Sequence, residues 1–272
     1  MNRSVLRQPP GALRSYVLQR RHTALLVAIV AMIGVRPVLG EAGVGPLLFS
    51  LTLLVLLLVA LLTIQIDELV GEREVLLVQR RRRSLVGWAL AVPAVAERLY
   101  VLFAPSPRLF AIGSISWLLL FAFVTWSQLR SLLKHKEVTS ETISMSISVY
   151  LLLGLTWGLV YIVIFQFQPQ AFNLTAPPTA SSTSSSHELQ VFPILIYFSL
   201  TTLSTVGFGD ITPLTLQSRY AAVAEAITGQ FYLAILVARL VSMQMSRSGN
   251  PDTRPHTAEG QALDHDRPDR AL

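Results

Sequence analysis

The sequence predicts an all-α membrane protein: six transmembrane helices, with a shorter apolar helix that enters the bilayer between the fifth and sixth and turns back. Three observations predict it. Of 272 residues, 52% are hydrophobic and only 14% charged, where a soluble domain carries about 25% charged. The mean hydropathy is +0.53. The apolar residues fall in long runs separated by basic clusters, and about 20 apolar residues cross the ~30 Å hydrocarbon layer as a helix. The chain has no cysteine, which excludes a disulfide scaffold and a thiolate metal site. A net charge of +6 would suggest nucleic acid if it lay on a soluble basic face. Here the charges flank apolar runs, so membrane lipid is the expected neighbour and no nucleic-acid partner is expected.

Residues 1–22 read as a cytoplasmic tail. The first span, Thr23–Gly40, is short and carries Arg36-Pro37 near its end. Basic residues before an apolar core also describe a signal peptide, but no small-residue cleavage site is evident and a second span follows at once. An anchored helix is expected. Val44–Ile66, Ser84–Ala104, Leu109–Leu129, Ile143–Phe165 and Arg219–Met245 complete the six. Orientation follows from Lys and Arg in short loops. Arg3, Arg7, Arg14, Arg20 and Arg21 precede the first span, Arg73 and Arg80–Arg83 separate the second from the third, and Arg130, Lys134 and Lys136 follow the fourth. The opposite loops hold only Arg108. Both termini are therefore expected in the cytoplasm, in a multi-pass protein of the cell (plasma or inner) membrane. The polar stretch 246–272 reads as a disordered cytoplasmic tail.

Residues 23–136 form an expected four-helix membrane domain. A voltage-sensing fourth helix needs several charges in the field, each worth about 2.3 kcal/mol per 100 mV. The fourth span has Arg108 at its outer edge and no further Arg or Lys until Arg130, so no working sensor is expected. Arg36 and Glu97 lie at similar depths and are expected to form a buried ion pair that fixes helix packing.

Residues 143–245 form the second unit. After the fifth span, Pro177–Ser186 is rich in Ser, Thr and Pro and reads as an exposed turret. Phe192–Ser204 is apolar but too short to cross; it must be a re-entrant helix, with Pro193 suited to the first turn, where a missing N–H costs nothing. Thr205-Val206-Gly207-Phe208-Gly209-Asp210 follows. Non-helical backbone at membrane depth is tolerated only where protein buries it or it lines a water-filled path. Glycine at alternate positions lets the backbone alternate between left- and right-handed conformations, which turns successive carbonyls to one side. Carbonyls from several copies around one axis make stacked oxygen rings that replace an ion's water shell. Neutral oxygens suit a large monovalent cation rather than Ca²⁺, which prefers carboxylates.

Thr205–Asp210 resembles the signature filter of the potassium channel superfamily in its Phe variant, within the order span, turret, short helix, filter, span. The resemblance covers Ile143–Met245 and says less of the first 140 residues. It implies a homotetramer with passive K⁺-selective conduction. K⁺ would sit at the carbonyls of Thr205, Val206, Gly207 and Phe208 and at the Thr205 hydroxyl, with Gly209 closing the filter and Asp210 at the outer mouth. No cofactor beyond the permeant ion is implied. Phe208 departs from the commoner Tyr and loses a hydroxyl that often ties the filter to its helix. Tyr197-Phe198 stands where many relatives have Trp-Trp, and Thr201 where some have Glu. These departures bear on filter rigidity more than on selectivity. The C-terminal end of the pore helix, near Ser204, would place about half a negative charge toward the cavity.

In the sixth span, Gly229 costs ~1 kcal/mol against Ala within a helix and asks for a reason. The resemblance implies a gating hinge; the other reading is close packing against Gly154 or Gly158 of the fifth span. Glu225, an ionisable group within a span, is expected to brace the filter by accepting hydrogen bonds from Thr201 or Ser204. Arg239 is expected to snorkel to the inner interface. An enzyme is not expected: Gly113-Ser114 could be imagined as a nucleophile site, but all five histidines lie outside the spans or at their edges, leaving no general base. The remaining alternative is a non-selective monovalent cation channel of the same architecture.

Overall fold

The computed structural model describes residues 21–39, 45–70, 85–97, 107–134, 139–174 and 184–248. The long apolar runs form helices because a helix satisfies its backbone within itself, as lipid demands. They are α1 (Arg21–Leu39), α2 (Gly45–Val70), α3 (Leu85–Glu97), α4 (Pro107–Lys134), α5 (Ser140–Phe167), α6 (Ser184–Leu203) and α7 (Leu216–Ser248). Among the described residues, three stretches are long and apolar enough to cross a membrane: Gly113–Lys134 in α4, all of α5, and Leu216–Ser242 in α7. The described side chains of α1, α2 and α3 add apolar stretches at His22–Val35, Ser50–Thr63 and Leu85–Glu97.

Polar side chains start α5 and α7. The Thr142 N–H donates to Thr139 Oγ1 at 3.2 Å, with Glu141 in the first turn of α5; both features favour a helix N-terminus. At α7 the cap is reciprocal: the Ser218 N–H reaches Thr215 Oγ1 at 3.4 Å and the Thr215 N–H reaches Ser218 Oγ at 3.2 Å.

Helix α5 is the centre of the packing, touching α1, α4, α6 and α7, while α2 packs on α1 and α4. One apolar core runs from Leu25 and Ile29 of α1 through Leu152 and Leu159 of α5 to Leu195 and Phe198 of α6. A smaller one joins Leu132, Met145 and Val149 with Leu129 and Tyr232 near the start of α5. Polar rungs tie α4 to α5: Ser114 Oγ donates to Gln166 Oε1 at 2.8 Å, and Thr125 meets Thr156 at 3.0 Å.

Two expectations are corrected. The chain is not purely helical, since β1 (Phe172–Leu174) pairs antiparallel with β2 (Ile211–Pro213), Asn173 opposite Thr212. The short helix begins at Ser184, so Pro193 lies inside it rather than in its first turn. An interior Pro forgoes one helical hydrogen bond; the buried neighbours Val191, Phe192, Leu195 and Ile196 hold that turn against the loss. The tails at 1–20 and 249–272, the loop residues Arg73 and Arg80–Arg83, turret residues 175–183 and the Arg36 side chain lie outside the described residues, so the Arg36–Glu97 pair does too. Glu97 itself accepts from Trp117 Nε1 at 3.2 Å and fills the space beside Gly113, where a Cβ would come within 2.3 Å of its side chain.

Candidate functional site

Helix α6 descends antiparallel along α5 and reaches its midpoint. Glycines make the groove. A Cβ on Gly158 would lie 3.2 Å from Ile196 Cα, and one on Gly154 would lie 2.7 Å from Leu200 Cδ2. On the opposite side, a Cβ on Gly229 of α7 would lie 2.6 Å from the Leu203 carbonyl oxygen. Of the two readings of Gly229, packing against Gly154 or Gly158 is therefore corrected: the glycine meets Leu203 instead. All three glycines face α6 and seat it between α5 and α7, and Tyr150 Oη of α5 donates to the same Leu203 carbonyl at 3.2 Å.

Beyond Leu203 the chain turns back. The amides of Val206 and Gly207 point into the protein and donate to the Thr201 carbonyl at 2.9 and 3.2 Å. The Thr205 N–H donates to the Thr202 carbonyl at 3.0 Å. These bonds satisfy the end of α6 with the amides of the very segment that follows. The backbone then alternates: φ is +59° at Thr205, +49° at Gly207 and +79° at Gly209, while Val206 and Phe208 keep negative φ. A left-handed threonine is strained, since L side chains with a branched Cβ avoid that region. Sequence reading foresaw the two glycines and missed Thr205. With the amides turned inward, the carbonyls of Val206, Gly207 and Phe208 accept no hydrogen bond from the chain's described residues. All residues from Ser204 to Asp210 are exposed in the single chain.

The returning strand is fastened at its far end. Asp210 Oδ1 accepts from the Ile211 N–H at 3.0 Å, and Asp210 Oδ2 accepts from Tyr197 Oη at 2.9 Å. The Tyr197 ring stacks on Phe208, with centroids 6.4 Å apart and planes within 2°. The bond to Asp210 first, then partial burial and the Asp210 charge, hold the Tyr197 phenol above its ordinary pKa. β2 then ties the strand to the chain just after α5, where the Leu214 N–H and Ser218 Oγ both donate to the Ala171 carbonyl, at 2.8 and 2.9 Å. The loop is thus anchored at the middle of α5 by one end and beyond its C-terminus by the other.

Behind this loop, Glu225 is fully buried and bonded to Tyr161 of α5 and Ser199 of α6. The expected donors, Thr201 and Ser204, are not its partners: Thr201 Oγ1 donates to the Phe198 carbonyl at 2.9 Å and Ser204 Oγ to the Leu200 carbonyl at 2.7 Å. Tyr161 also joins Phe172 and Phe198 in a cluster of edge-on rings, with centroids 5.0–5.5 Å apart. Sequence reasoning passed over Tyr161 and Ser199. Their signal was present, because a phenol or hydroxyl within an apolar run needs a partner, and Glu225 was the unpartnered acid nearby.

Comparison with known proteins shows what this segment is similar to. The family described as "Ion channel" matches residues 147–246, the segment just built. That likeness covers most of α5, all of α6, the loop and most of α7, and leaves the first 146 residues unmatched. The chain is also 30% identical over 115 residues to two-pore potassium channel 4 of Arabidopsis thaliana, a match covering 42% of this chain and 38% of that protein. It is 27% identical over 130 residues to protein LctB of Bacillus caldotenax, covering 48% of this chain and 92% of that one. The LctB of Geobacillus stearothermophilus is 31% identical over 91 residues, covering 34% of this chain and 62% of its own length. No solved structure matches. The family match lies wholly within α5–α7 and does not reach α1–α4.

Within this segment, α7 has two unlike faces. Glu225, Gly229 and Tyr232 turn toward α5 and α6, with Tyr232 Oη donating to the Ser146 carbonyl at 2.7 Å. Val223, Ile227, Phe231, Ile235 and Val241 are exposed. Arg239 does not simply reach for the interface: its guanidinium donates to the Leu132 and Leu133 carbonyls at 2.8 Å each. Those belong to the last turn of α4, whose carbonyls lack helical partners and favour a cation.

Proposed function

We propose that the chain is one subunit of a homotetrameric, K⁺-selective channel that conducts passively across a cell membrane. In this reading the six expected spans, which contain α1, α2, α3, α4, α5 and α7, cross the bilayer, α6 is re-entrant, and both termini are cytoplasmic. The observation that carries it is the period-two alternation of φ over Thr205, Gly207 and Gly209, which leaves a row of carbonyls without donors. Such a row is costly unless something replaces the donors, and a dehydrated cation does so.

The tetramer is supported by exposure. Only 11% of the apolar window of α7 is buried within one chain, and Phe208 is 70% exposed. One copy supplies one side of an axis; a closed ring supplies the rest. The apolar face of α7 and the Val206 and Phe208 side chains are the surfaces neighbouring copies would cover. K⁺ would occupy positions lined by the carbonyls of Thr205, Val206, Gly207 and Phe208 and by the Thr205 hydroxyl, with Gly229 as a hinge of α7 below them. The fastening of Asp210 by Tyr197 offsets the hydroxyl that Phe208 lacks.

The test is K⁺ efflux from vesicles loaded with purified protein, alongside the mass of the particle in detergent. Efflux that disappears in Gly207→Ala, from a particle of four chains, is expected. Efflux unchanged by that substitution, or a monomeric particle, would overturn the reading.

A further inference from the structure

The buried contacts of Glu225 contain a count that does not balance for a carboxylate. Ser199 Oγ lies within hydrogen-bonding distance of two oxygens, the Gly154 carbonyl at 2.6 Å and a carboxyl oxygen of Glu225. A serine hydroxyl has one hydrogen to give. The Gly154 carbonyl can only accept. If Glu225 were ionised, it too could only accept, and one of the two contacts would set lone pair against lone pair. Tyr161 does not relieve this, since its single hydrogen goes to the other carboxyl oxygen.

One arrangement satisfies every group. The Glu225 carboxyl carries a proton and donates it to Ser199 Oγ; Ser199 donates to the Gly154 carbonyl; Tyr161 donates to the remaining carboxyl oxygen. The surroundings agree. Glu225 and Ser199 are fully buried, the ring of Tyr161, a partner of Glu225, packs edge-on against Phe198, and among the described residues no Lys, Arg or His bonds to Glu225. An unpaired carboxylate in such a place is expensive, whereas a hydrogen-bonded acid is not.

We infer that Glu225 is an uncharged, proton-bearing positioning residue: its carboxylic acid, as donor and acceptor at once, pins α5, the pore helix α6 and α7 together behind the conducting loop. The inference rests on the channel reading and deepens it. Glu225 sits one turn from Gly229, which touches the Leu203 carbonyl, so the pin fixes α6 where the loop departs. Four such groups in a tetramer would add no charge behind the ion path.

The test combines a spectroscopic readout with two substitutions in the full-length protein in lipid vesicles. The infrared difference between wild type and Glu225→Gln at neutral pH is expected to contain the C=O stretch of a protonated carboxyl. Glutamine can also give one hydrogen and accept one, so Glu225→Gln is expected to keep the current and its time course within about twofold, as near-isosteric pairing implies. Glu225→Leu leaves Ser199 and Tyr161 without their partner and is expected to speed the decay of current by about tenfold or more. Ionised-carboxylate bands in the difference spectrum, or a Gln variant that behaves as the Leu variant does, would overturn the inference. If the wild type conducts nothing, the channel reading fails by itself. The infrared band and the melting temperatures of the two variants still decide the state of Glu225.

Discussion

The two halves of this membrane protein hold themselves together by different means. Helices α1–α4 meet mainly through Leu, Ile, Val and Ala, among them Leu25, Ile29, Leu56 and Ala94, and no ladder of charge lines the described part of α4. From Ser140 onward, polar groups and glycines occupy the decisive contacts: Gly158 on Ile196, Gly229 on Leu203, Glu225 between Tyr161 and Ser199, and Asp210 on Tyr197. Lipid tails are as apolar as leucine, so apolar packing alone positions helices loosely. A loop that, in the proposed reading, turns its carbonyl oxygens to one axis needs tighter placement, and directional contacts supply it. The difference teaches where precision lies: it is concentrated from Ser140 to Ser248, while the described parts of the first four helices meet mainly by apolar packing.

Substitutions can sharpen or break that contrast, and the largest effect is expected at the loop itself. Gly207→Ala places a Cβ on a residue with φ of +49°, at roughly 1–2 kcal/mol per chain, repeated around the ring. Single-channel recording is expected to show no current while the protein still purifies as an oligomer.

Next come the seats of α6. Gly229→Val drives a side chain into the Leu203 carbonyl, 2.6 Å from where the Cβ would stand, and is expected to lower both current and melting temperature. Gly34→Val in α1 is the control, because a Cβ there meets nothing within 4 Å. Equal effects of the two would erase the contrast between the halves.

Tyr197→Phe removes one donor to Asp210 and keeps the ring on Phe208. Faster decay of current, by roughly two- to tenfold as for one hydrogen bond, is expected with the ion preference unchanged. The smallest effect belongs to the first half. Thr125→Val cuts the rung to Thr156, and interhelical hydrogen bonds in membranes average about 0.6 kcal/mol, so thermal unfolding should shift slightly and currents not at all.

Much of this was legible in the residues. Apolar run lengths located α1, α2, α4, α5 and α7 to within a few residues, because a bilayer imposes a length on each span, whereas α6, which is not held to that length, begins eight residues before the expected Phe192. The alternating glycines marked the loop, because the left-handed region admits few other residues. What escaped the sequence depended on contacts between distant segments. Thr205 enters the left-handed region because Val206 and Gly207 turn their amides to Thr201, which no local pattern announces. The β1–β2 ribbon is three residues on each side, too short for a periodic signal. Glu225 stood out as an acid in a span, but Tyr161 and Ser199 became its partners only once α5, α6 and α7 were packed. Arg239 looked like a snorkelling cation because the free carbonyls at the end of α4 lie more than 100 residues earlier in the chain.

The claim that Thr205–Gly209 replaces the water around K⁺ is tested most directly by the reversal potential of the purified protein in a planar bilayer, with K⁺ on one side and Na⁺ on the other. Reversal close to the K⁺ equilibrium potential, with current that Gly207→Ala removes, is the expected result. Reversal near zero, with the same loss on substitution, would mean a pore that passes both ions and would contradict K⁺ selectivity.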